Sequence, residues 1–408
     1  MDDSRPADRV DVAIIGGGLV GASLACALGE LATEHGLRVA IIEPRALPAA
    51  SERSYQPSFD ARASAIAYGS RRHFERLGLW SHEGPSMARE ATPIRHIHVS
   101  ERGRLGATRL HAEELGVEAL GYVLPNAWMG QVLHRRLDAL PIDWRCPASV
   151  EALTPQADGY RLTLDDGSAL TAGLTVLADG GRSGLKARLG IDNAHQSYDQ
   201  TALIANVEVS RDHAGWAFER FTADGPMALL PLGNGRMELV WTFDKDDVEE
   251  ALALSDGDFL ARLQRAFGDR AGRFRRVGER HTYPLSLVTA RETARPHLAV
   301  LGNAAHALHP VAGQGFNLAL RGVMDLADEI AAAHTAGDRI GSPAMLAAFE
   351  TRRARDTRAI VRFSDGLIRL FGIDHPAMGH ARAAGLVGLN AVGPLRRTLA
   401  RRAMGIER

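Results

Sequence analysis

Three glycines near the start of the chain have the spacing of a phosphate-binding turn. Gly16, Gly18 and Gly21 follow the predicted strand Val10–Ile15 and precede an Ala/Leu-rich segment. In this pattern the first glycine permits a tight turn, the second lets the backbone approach a pyrophosphate, and the third lets a helix pack on the strand. Glu43 ends the next predicted strand, 25 residues after Gly18, where a carboxylate can accept hydrogen bonds from ribose hydroxyls. The cluster therefore predicts a dinucleotide site.

Two further glycine-containing segments lie later in the chain. Asp179-Gly180 follows the predicted strand Leu170–Leu177, and the run Gly302–Asn317 connects a short apolar strand to an Ala/Leu-rich helix. Gly313-Gln314-Gly315 stands directly before that helix, which predicts a second helix N-terminus with free N–H donors. A helix end of this kind would stabilise negative charge that develops on a bound ring.

In sequence and order, these segments resemble the flavin motifs of the class A FAD-dependent aromatic monooxygenases. The family usually has Gly-Asp where this chain has Gly302-Asn303. An asparagine offers one acceptor and two donors, so it can still bond the flavin ribitol. Gly-Asn-Ala-Ala, followed by His309-Pro310 and Gly313–Asn317, is similar to the ubiquinone-biosynthesis hydroxylases within that class. The resemblance extends to the segments Phe59–Ala65, Glu219–Phe221, Leu229–Leu232 and Ser364–Leu367.

The resemblance implies a reaction and its cofactors. FAD would be the bound cofactor, NAD(P)H its reductant and O₂ the co-substrate. The substrate would be a polyprenyl phenol, 2-polyprenyl-6-methoxyphenol, hydroxylated to the benzoquinol. Three alternatives remain open: a sister hydroxylase of the pathway acting at another ring position, an O₂-independent flavin reductase of a prenyl lipid, and a non-catalytic flavoprotein scaffold.

The matching motifs also supply candidate site residues. Those expected nearest the reacting ring are His309, Pro310, Gly313 and Gln314. Arg62 matches a family arginine near the flavin phosphates or the nicotinamide, and Gln131 is a candidate for the adenosine side of FAD. The cofactor-binding set is Gly16, Gly18, Gly21, Glu43, Arg62, Gln131, Asp179, Asn303, Pro310, Gly313, Gly315, Phe316 and Asn317. An apolar wall over the substrate is expected from Phe221, Pro226, Pro231 and Trp241.

These residues must be positioned by an α/β fold with a Rossmann-type FAD-binding domain. The order Val10–Ile15, Ala22–Glu34 and Val39–Glu43 predicts a βαβ unit, and a further helix is expected over Ala65–Leu79. Between 200 and 295 the runs are β-rich with turn punctuation, which indicates an inserted antiparallel sheet. We therefore expect a discontinuous FAD-binding domain over 1–92, 121–189 and 295–350, substrate-domain segments over 93–120 and 190–294, and a basic helical C-terminal region over 351–408.

Composition excludes several classes of site. With 408 residues, 45% of them hydrophobic, the chain is long enough for more than one domain core. Two cysteines, Cys26 and Cys146, provide neither a disulfide framework nor a cysteine metal site. His306 and His309 have no nearby acid or thiol to complete a metal site, and we expect none. The uncharged run Val12–Gly29 is long enough to suggest a membrane span, but its glycine break favours a buried strand and helix.

The C-terminal region differs from the rest of the chain in charge. From Arg352 to Arg408 there are twelve arginines, no lysine and four acids, a net charge of +8 in a protein whose total is −1. Leu395, Leu399 and Ala403 recur at helical spacing among arginines, which predicts a short basic amphipathic helix. We expect it to contact anionic lipid at the inner face of the membrane, with the rest of the protein in the cytoplasm. Other ubiquinone-biosynthesis proteins are further expected partners, and no basic-aromatic patch points to nucleic acid.

Overall fold

The computed structural model describes residues 8–47, 58, 62–81, 84, 86–222, 225–307, 313–373 and 375–406. Its strands are β1 (Asp8–Ile15), β2 (Val39–Ile42), β3 (Ala63–Ala67), β4 (Thr92–Ile94), β5 (His96–Glu101), β6 (Ala107–His111), β7 (Gly121–Pro125), β8 (Ile142–Arg145), β9 (Val150–Gln156), β10 (Gly159–Leu164), β11 (Ala169–Leu177), β12 (Asn193–Val209), β13 (Trp216–Thr222), β14 (Gly225–Leu232), β15 (Arg236–Asp244), β16 (Phe274–Val277), β17 (His281–Ala290), β18 (Ala294–Arg295), β19 (Leu298–Val300) and β20 (His306–Ala307). Its α-helices are α1 (Leu19–Ala27), α2 (Gly29–Glu34), α3 (Tyr68–Arg76), α4 (Asn126–Asp138), α5 (Leu185–Arg188), α6 (Val248–Ala253), α7 (Asp256–Phe267), α8 (Gln314–Ala336), α9 (Pro343–Gly372), α10 (Pro376–Ala391) and α11 (Gly393–Ala403). Short 3₁₀ turns cover Met87–Glu90, Glu113–Leu115 and Gly302–Ala304.

The first sheet is built around β1, which pairs in parallel with β2 on one side and β11 on the other. Its order is β18-β19-β11-β1-β2-β8, and β10 and β9 continue from β11 as an antiparallel extension. Both faces of β1 are covered, so Val12, Ala13 and Ile14 are fully buried. The carboxyl ends of β1, β11 and β19 lie side by side, and each leads into one of the three glycine-containing segments. A ligand site at that edge is the usual place in an open α/β sheet.

The second sheet has nine strands and is mostly antiparallel, in the order β20-β17-β12-β15-β14-β13-β5-β6 with β16 on β12. One face packs on α6 and α7 around Trp241, Phe259 and Phe267. β5 and β6 come from the 93–120 segment and join this sheet through a parallel pairing of β5 with β13. The sheet is therefore assembled from parts of the chain that are distant in sequence.

The two predicted helices near the N-terminus need correction. Ala65 lies in strand β3, not in a helix, because Ala63–Ala67 pairs with Gly121–Pro125 in a small three-stranded sheet. The helix begins only at Tyr68, so strand pairing overrides the helical preference of alanine. The expected single helix Ala22–Glu34 begins earlier, at Leu19, and is divided at Leu28 into α1 and α2.

The C-terminal helices are held to the body of the protein by buried ion pairs and packing. Arg321 of α8 donates to Asp356 of α9 at 2.7 Å, and Arg353 lies 3.3 Å from the same carboxylate. α10 packs on β6, and Thr108 donates to the Leu386 carbonyl at 2.7 Å. Within the described part of the chain, no helix is long and apolar enough to cross a membrane. The run Val12–Gly29 contains the end of β1, the glycine turn and α1.

Candidate functional site

The glycine turn between β1 and α1 has the close contacts that its sequence predicts. Gly16 has φ +107°, and a Cβ there would lie 2.7 Å from the Ala178 carbonyl oxygen. A Cβ on Gly21 would lie 1.9 Å from the Gly16 oxygen, so α1 can approach the strand only with glycine at that position. A Cβ on Gly18 would meet no protein atom within 4 Å. Gly18 therefore faces open space, as expected of a residue that admits a ligand.

Glu43 holds this turn from the end of β2. One carboxylate oxygen accepts a hydrogen bond from the Gly17 N–H at 2.8 Å, and the other accepts from the Arg45 N–H at 3.1 Å. Each oxygen retains a lone pair for a ribose hydroxyl. Two neighbours that the sequence did not suggest complete the turn: His134 of α4 lies 3.3 Å from the Gly17 oxygen, and Trp144 of β8 packs over Gly17.

Asp179 shapes the turn after β11. Its two carboxylate oxygens accept from the N–H groups of Gly181 at 3.0 Å and Ser183 at 2.8 Å. Gly180 and Gly181 both have positive φ, so the chain reverses immediately beside Gly16. The aspartate therefore holds the backbone of the turn that lies beside Gly16.

The run Gly302–Asn317, called here the second flavin segment, is brought against the turn Gly16–Gly21 and its helix α1 by close packing. Gly302 has φ +63°, and a Cβ there would lie 3.0 Å from a methyl group of Val20 in α1. Gly313 also has a positive φ and begins α8, with Ala65 of β3 directly beside it. Asn317 ties these parts together, because its amide donates to the carbonyls of Ala65 and Gly313 and accepts from the Ala67 N–H, all within 2.8 Å.

A cavity of about 290 Å³ lies between this segment and the second sheet. Asn303, Gly313, Gly315 and Phe316 line one side of it. The other side is formed by strand residues, namely Ile204, Glu219, Ala228, Leu230, Glu238 and Val240, with Ala63–Ala65 at the border. A Cβ on Gly315 would meet nothing within 4 Å, so this glycine, like Gly18, faces open space at the beginning of a long helix.

Two carboxyl groups face this otherwise apolar wall, and sequence reasoning missed the role of both. Burial raises the pKa of Glu219 to about 8 and that of Glu238 to about 7. Glu238 accepts a hydrogen bond from the Ala63 N–H at 3.0 Å, and the positive charge of Arg62 partly offsets the burial effect. Period-two alternation on β13 and β15 was the available signal, but alternation does not say which face meets a ligand.

The remaining cofactor candidates lie at different distances from the cavity. Arg62 donates to the Tyr283 hydroxyl at 2.8 Å and stands near Glu238, at the cavity border. Gln131 is buried on α4, which packs against α1. Gln314 is buried in the first turn of α8. The predicted residues His309 and Pro310 lie outside the described residues.

The strand faces correct two of the four predicted wall residues, Trp241 and Pro231. Trp241 is on the opposite face of the sheet, in the core beneath α7, where its ring lies 5.9 Å from that of Phe259. Pro231 pairs with Met237 and alternates to that same core face. Phe221 and Pro226 are on the cavity face, two residues from Glu219 and Ala228, where they pair with each other and Phe221 is stacked on Phe371 of α9 at 3.5 Å between ring centroids. The described residues that line the cavity include none of these four.

His306 lies in a short strand within the segment Gly302–Asn317. In β20 it pairs with Thr289 of β17, and burial lowers its pKa to about 4, so the ring is neutral at pH 7. In the described ranges, no group of three or more His, Cys, Asp or Glu side chains is placed to hold a metal ion.

These observations fit FAD. The open space at Gly18 suits the pyrophosphate beside the α1 N-terminus, and Glu43 stands where the adenosine ribose would lie. The open space at Gly315 and the polar Asn303 suit the ring and ribitol beside the α8 N-terminus. Bound FAD would supply the two-electron chemistry that links NAD(P)H oxidation to oxygen transfer.

Comparison with known proteins agrees with this fit. Residues 9–364 match the family model described as FAD binding domain. The chain is 40% identical to a protein named ubiquinone hydroxylase UbiL from Rhodospirillum rubrum, over 98% of this chain and 90% of that protein. It is 31% identical to 3-demethoxyubiquinol 3-hydroxylase of Escherichia coli, over 97% of this chain and 98% of that enzyme. In fold it is similar to pqsL, a probable FAD-dependent monooxygenase of Pseudomonas aeruginosa, with a TM-score of 0.75 at 23% identity, covering 93% and 100% of the two chains.

The site and these relatives define a FAD-dependent monooxygenase with NAD(P)H and O₂ as its co-substrates. The chain belongs to the FAD-binding family of aromatic hydroxylases that includes the enzymes of ubiquinone biosynthesis.

Proposed function

We propose that the protein hydroxylates the ring of a polyprenyl phenol, with 2-polyprenyl-6-methoxyphenol as the substrate and the benzoquinol as the product. The observation that carries the proposal is the cavity between the second flavin segment and the second sheet. Its strand side presents Ile204, Leu230 and Val240, an apolar surface suited to an aromatic ring. Two relatives whose names place them in ubiquinone chemistry, at 40% and 31% identity, support a substrate of this class.

The residues of the chain contribute position, dielectric environment and exclusion of water to this reaction. The apolar strand residues would hold the ring against the α8 N-terminus and keep water away from a reactive oxygen species. Gly315 leaves open space beside the first turn of α8, and Gly313 lets that turn lie directly beside Ala65. Asn317 holds that turn on β3 through three hydrogen bonds. Such fixed donors stabilise charge at low reorganisation cost.

The position at which the phenol ring is hydroxylated is the part of the proposal for which a relative offers an alternative. The Escherichia coli enzyme is named for hydroxylation at position 3 of a demethoxyubiquinol, and it is 31% identical to this chain. A sister substrate is therefore the second candidate. The two candidates share cofactors and cavity, and they differ only in the substituents on the phenol ring.

The decisive experiment is an assay of the purified holoenzyme with NAD(P)H, O₂ and short-chain prenyl phenols. We expect NAD(P)H oxidation to be stimulated by 2-prenyl-6-methoxyphenol and matched by oxygen uptake and formation of the hydroquinone. Conversion of the demethoxyubiquinol analogue alone would replace the specific substrate with its sister. Product formation without oxygen uptake would contradict hydroxylation.

We also propose that the C-terminal helices place the protein at an anionic membrane surface, where a polyprenyl substrate resides. Among the described residues, eight large apolar side chains are exposed, and seven of these are on α9, α10, α11 or the residues that follow them. The eighth, Leu105, is fully exposed in the β5–β6 turn, next to α10. The arginines on α11 give this part of the surface the charge that attracts anionic lipid.

The orientation of α11 differs from the expected one. It packs through Ala400 and Met404 against Leu110 and Leu120, while Leu395 is exposed. Arg396 is bound to Glu114 at 2.7 Å and so contributes little net charge to the surface. Arg397, Arg401 and Arg402 are exposed on the helix.

A further inference from the structure

We propose that the Glu219 carboxylate is the general base that takes the phenol proton during ring hydroxylation. The proposal rests on the phenol substrate class proposed above. It assigns a chemical role to a residue that belongs to none of the three glycine-containing segments. Glu219 lies on β13, across the cavity from Asn303 and Gly315.

The position of Glu219 is unusual for a glutamate. It lies within a sheet strand, opposite Val99 on β5 and Ala228 on β14, and lines a cavity whose neighbouring strand residues are largely apolar. Among the residues that the structure describes, no hydrogen bond or ion pair engages its carboxyl group. A carboxyl group kept in an apolar cavity without a partner costs stability, which is typical of residues retained for chemistry.

The charged groups around the cavity leave this carboxyl without an electrostatic partner. Glu238 on β15 accepts a hydrogen bond from the Ala63 N–H. The positive charge of Arg62 lowers the pKa of Glu238, and the Arg62 guanidinium donates to the Tyr283 hydroxyl on β17. On the side of β5 and α9, Glu101 is paired with Arg382 at 2.6 Å. Asp365 of α9 is paired with Arg369 at 2.8 Å. The segment across the cavity presents Asn303, Gly313, Gly315 and Phe316, none of which carries a charge.

This setting suits proton transfer from a phenol. An ordinary phenol has a pKa of about 10, as tyrosine does, and an ordinary glutamate has a pKa of about 4.3, so the transfer would be uphill by about 6 units. Burial raises the pKa of Glu219 to about 8, which reduces the gap to about 2 units and brings the base near the working pH. The cavity thus makes Glu219 a much stronger base than an exposed glutamate.

The proton transfer is balanced within the hydroxylation reaction. The phenol O–H bond breaks, its electron pair stays on the ring oxygen, and the proton forms a new O–H bond on Glu219. The electron-rich ring then takes one oxygen atom from O₂, and NAD(P)H with one solvent proton supplies the two electrons and two hydrogens with which the other atom leaves as water. As aromaticity returns, the ring C–H proton is lost and the new oxygen carries one proton in its place, and the phenol oxygen is reprotonated from Glu219.

The test compares wild type, Glu219→Gln, Glu219→Asp and Glu238→Gln, all loaded with FAD. The substrate is whichever prenyl phenol the wild-type enzyme hydroxylates. We expect the wild-type kcat to rise as the pH passes about 8, because the carboxylate of Glu219 is the active form. Glu219→Gln should show no such rise with pH. Its kcat above about pH 8 should be at least ~100-fold lower than that of wild type, since general bases contribute that much. Glu219→Asp should restore part of the rate, and Glu238→Gln should retain the pH dependence.

Two further readouts separate a base from a structural role. A phenol made more acidic by a ring substituent should narrow the gap between wild type and Glu219→Gln, because such a phenol ionises without help. Infrared difference spectra should show a protonated buried carboxyl that disappears as the pH of the wild-type protein passes about 8, and that is absent from Glu219→Gln. An unchanged pH profile in Glu219→Gln, or an unchanged gap with the acidic phenol, overturns the base. Conversion of only the sister phenols would instead overturn the specific substrate and leave the base intact.

Discussion

Gly18 and Gly21 are three residues apart, but they are required for different reasons. A Cβ on Gly21 would collide with the Gly16 backbone oxygen at 1.9 Å, whereas a Cβ on Gly18 would enter open space. Gly18 has φ −69°, which any residue can adopt. The fold itself requires glycine at position 21, whereas the ligand requires it at position 18, so the two requirements can be measured separately.

Substitution of each glycine by alanine should therefore give opposite results. Gly21→Ala should destabilise the apoprotein by roughly 1–3 kcal/mol, because overpacking forces the backbone to move. Gly18→Ala should leave apoprotein stability within ~1 kcal/mol of wild type but weaken FAD binding at least about tenfold, since the methyl group occupies the pyrophosphate position. Denaturant unfolding of the apoproteins and FAD titration check the two halves. Tight FAD binding by Gly18→Ala would contradict the assignment of the open space to the cofactor.

At the scale of single residues, the sequence predicted the backbone motifs better than the side chains of the cavity. Gly16, Gly302 and Gly313 have the positive φ values and close neighbours that a glycine requirement implies. Glu219 and Glu238 were not predicted as site residues, because their effect depends on which strand face meets the cavity. The prediction that Trp241 lies in the substrate wall was wrong for the same reason. Its large ring is suited to a ligand wall or to a protein core, and the pairing of β14 and β15 turns it toward α7.

The elements of the site are connected by contacts that no local pattern reveals. β3 carries Ala65 beside Gly313, and its strand form depends on pairing with β7, some sixty positions later. The sequence of Ala63–Ala67 is compatible with a helix by propensity, so only long-range pairing decides it. The βαβ unit was predictable because its signals are local, whereas β3 was not.

Asn317 is the residue through which α8 is held on β3. Its amide and carbonyl satisfy Ala65, Ala67 and Gly313, and the side chain is 2% exposed. Asn317→Ala would leave buried backbone groups without partners, at about 1–3 kcal/mol for each group that water cannot reach. We expect a loss of about 3 kcal/mol in the free energy of unfolding, together with reduced FAD retention.

Thr398→Ala is the matched control for that substitution. Thr398 also donates a side-chain hydrogen bond to a backbone carbonyl, that of Pro394, but on the exposed α11. Its removal should change stability by less than ~0.5 kcal/mol and leave FAD content unchanged. If Asn317→Ala were no more destabilising than Thr398→Ala in urea unfolding, the attachment of α8 would have to lie elsewhere.

At the scale of the whole molecule, the second sheet, strand β3 of the three-stranded sheet and the segment Gly302–Asn317 meet at one cavity. The C-terminal helices lie on the outside of that assembly. The buried pair of Arg321 and Asp356 couples α8, whose first turn borders the cavity, to α9. α10 and α11 then pack on the hairpin of β5 and β6, which belongs to the substrate sheet. A surface formed by these helices is therefore connected through packed elements to both walls of the site.

Membrane association should depend on both the apolar and the basic residues of this surface. We expect the holoenzyme to co-sediment with vesicles containing anionic phosphatidylglycerol, to bind neutral phosphatidylcholine vesicles weakly, and to dissociate as salt is raised. Leu105→Asp should weaken binding because Leu105 is fully exposed beside α10, and Arg397→Glu should weaken it through charge. Lys245→Glu, which makes the same charge change in the turn after β15, should bind like wild type. Equal losses for Arg397→Glu and Lys245→Glu would show that net charge alone governs binding, and salt-independent binding by all four proteins would exclude an electrostatic contact.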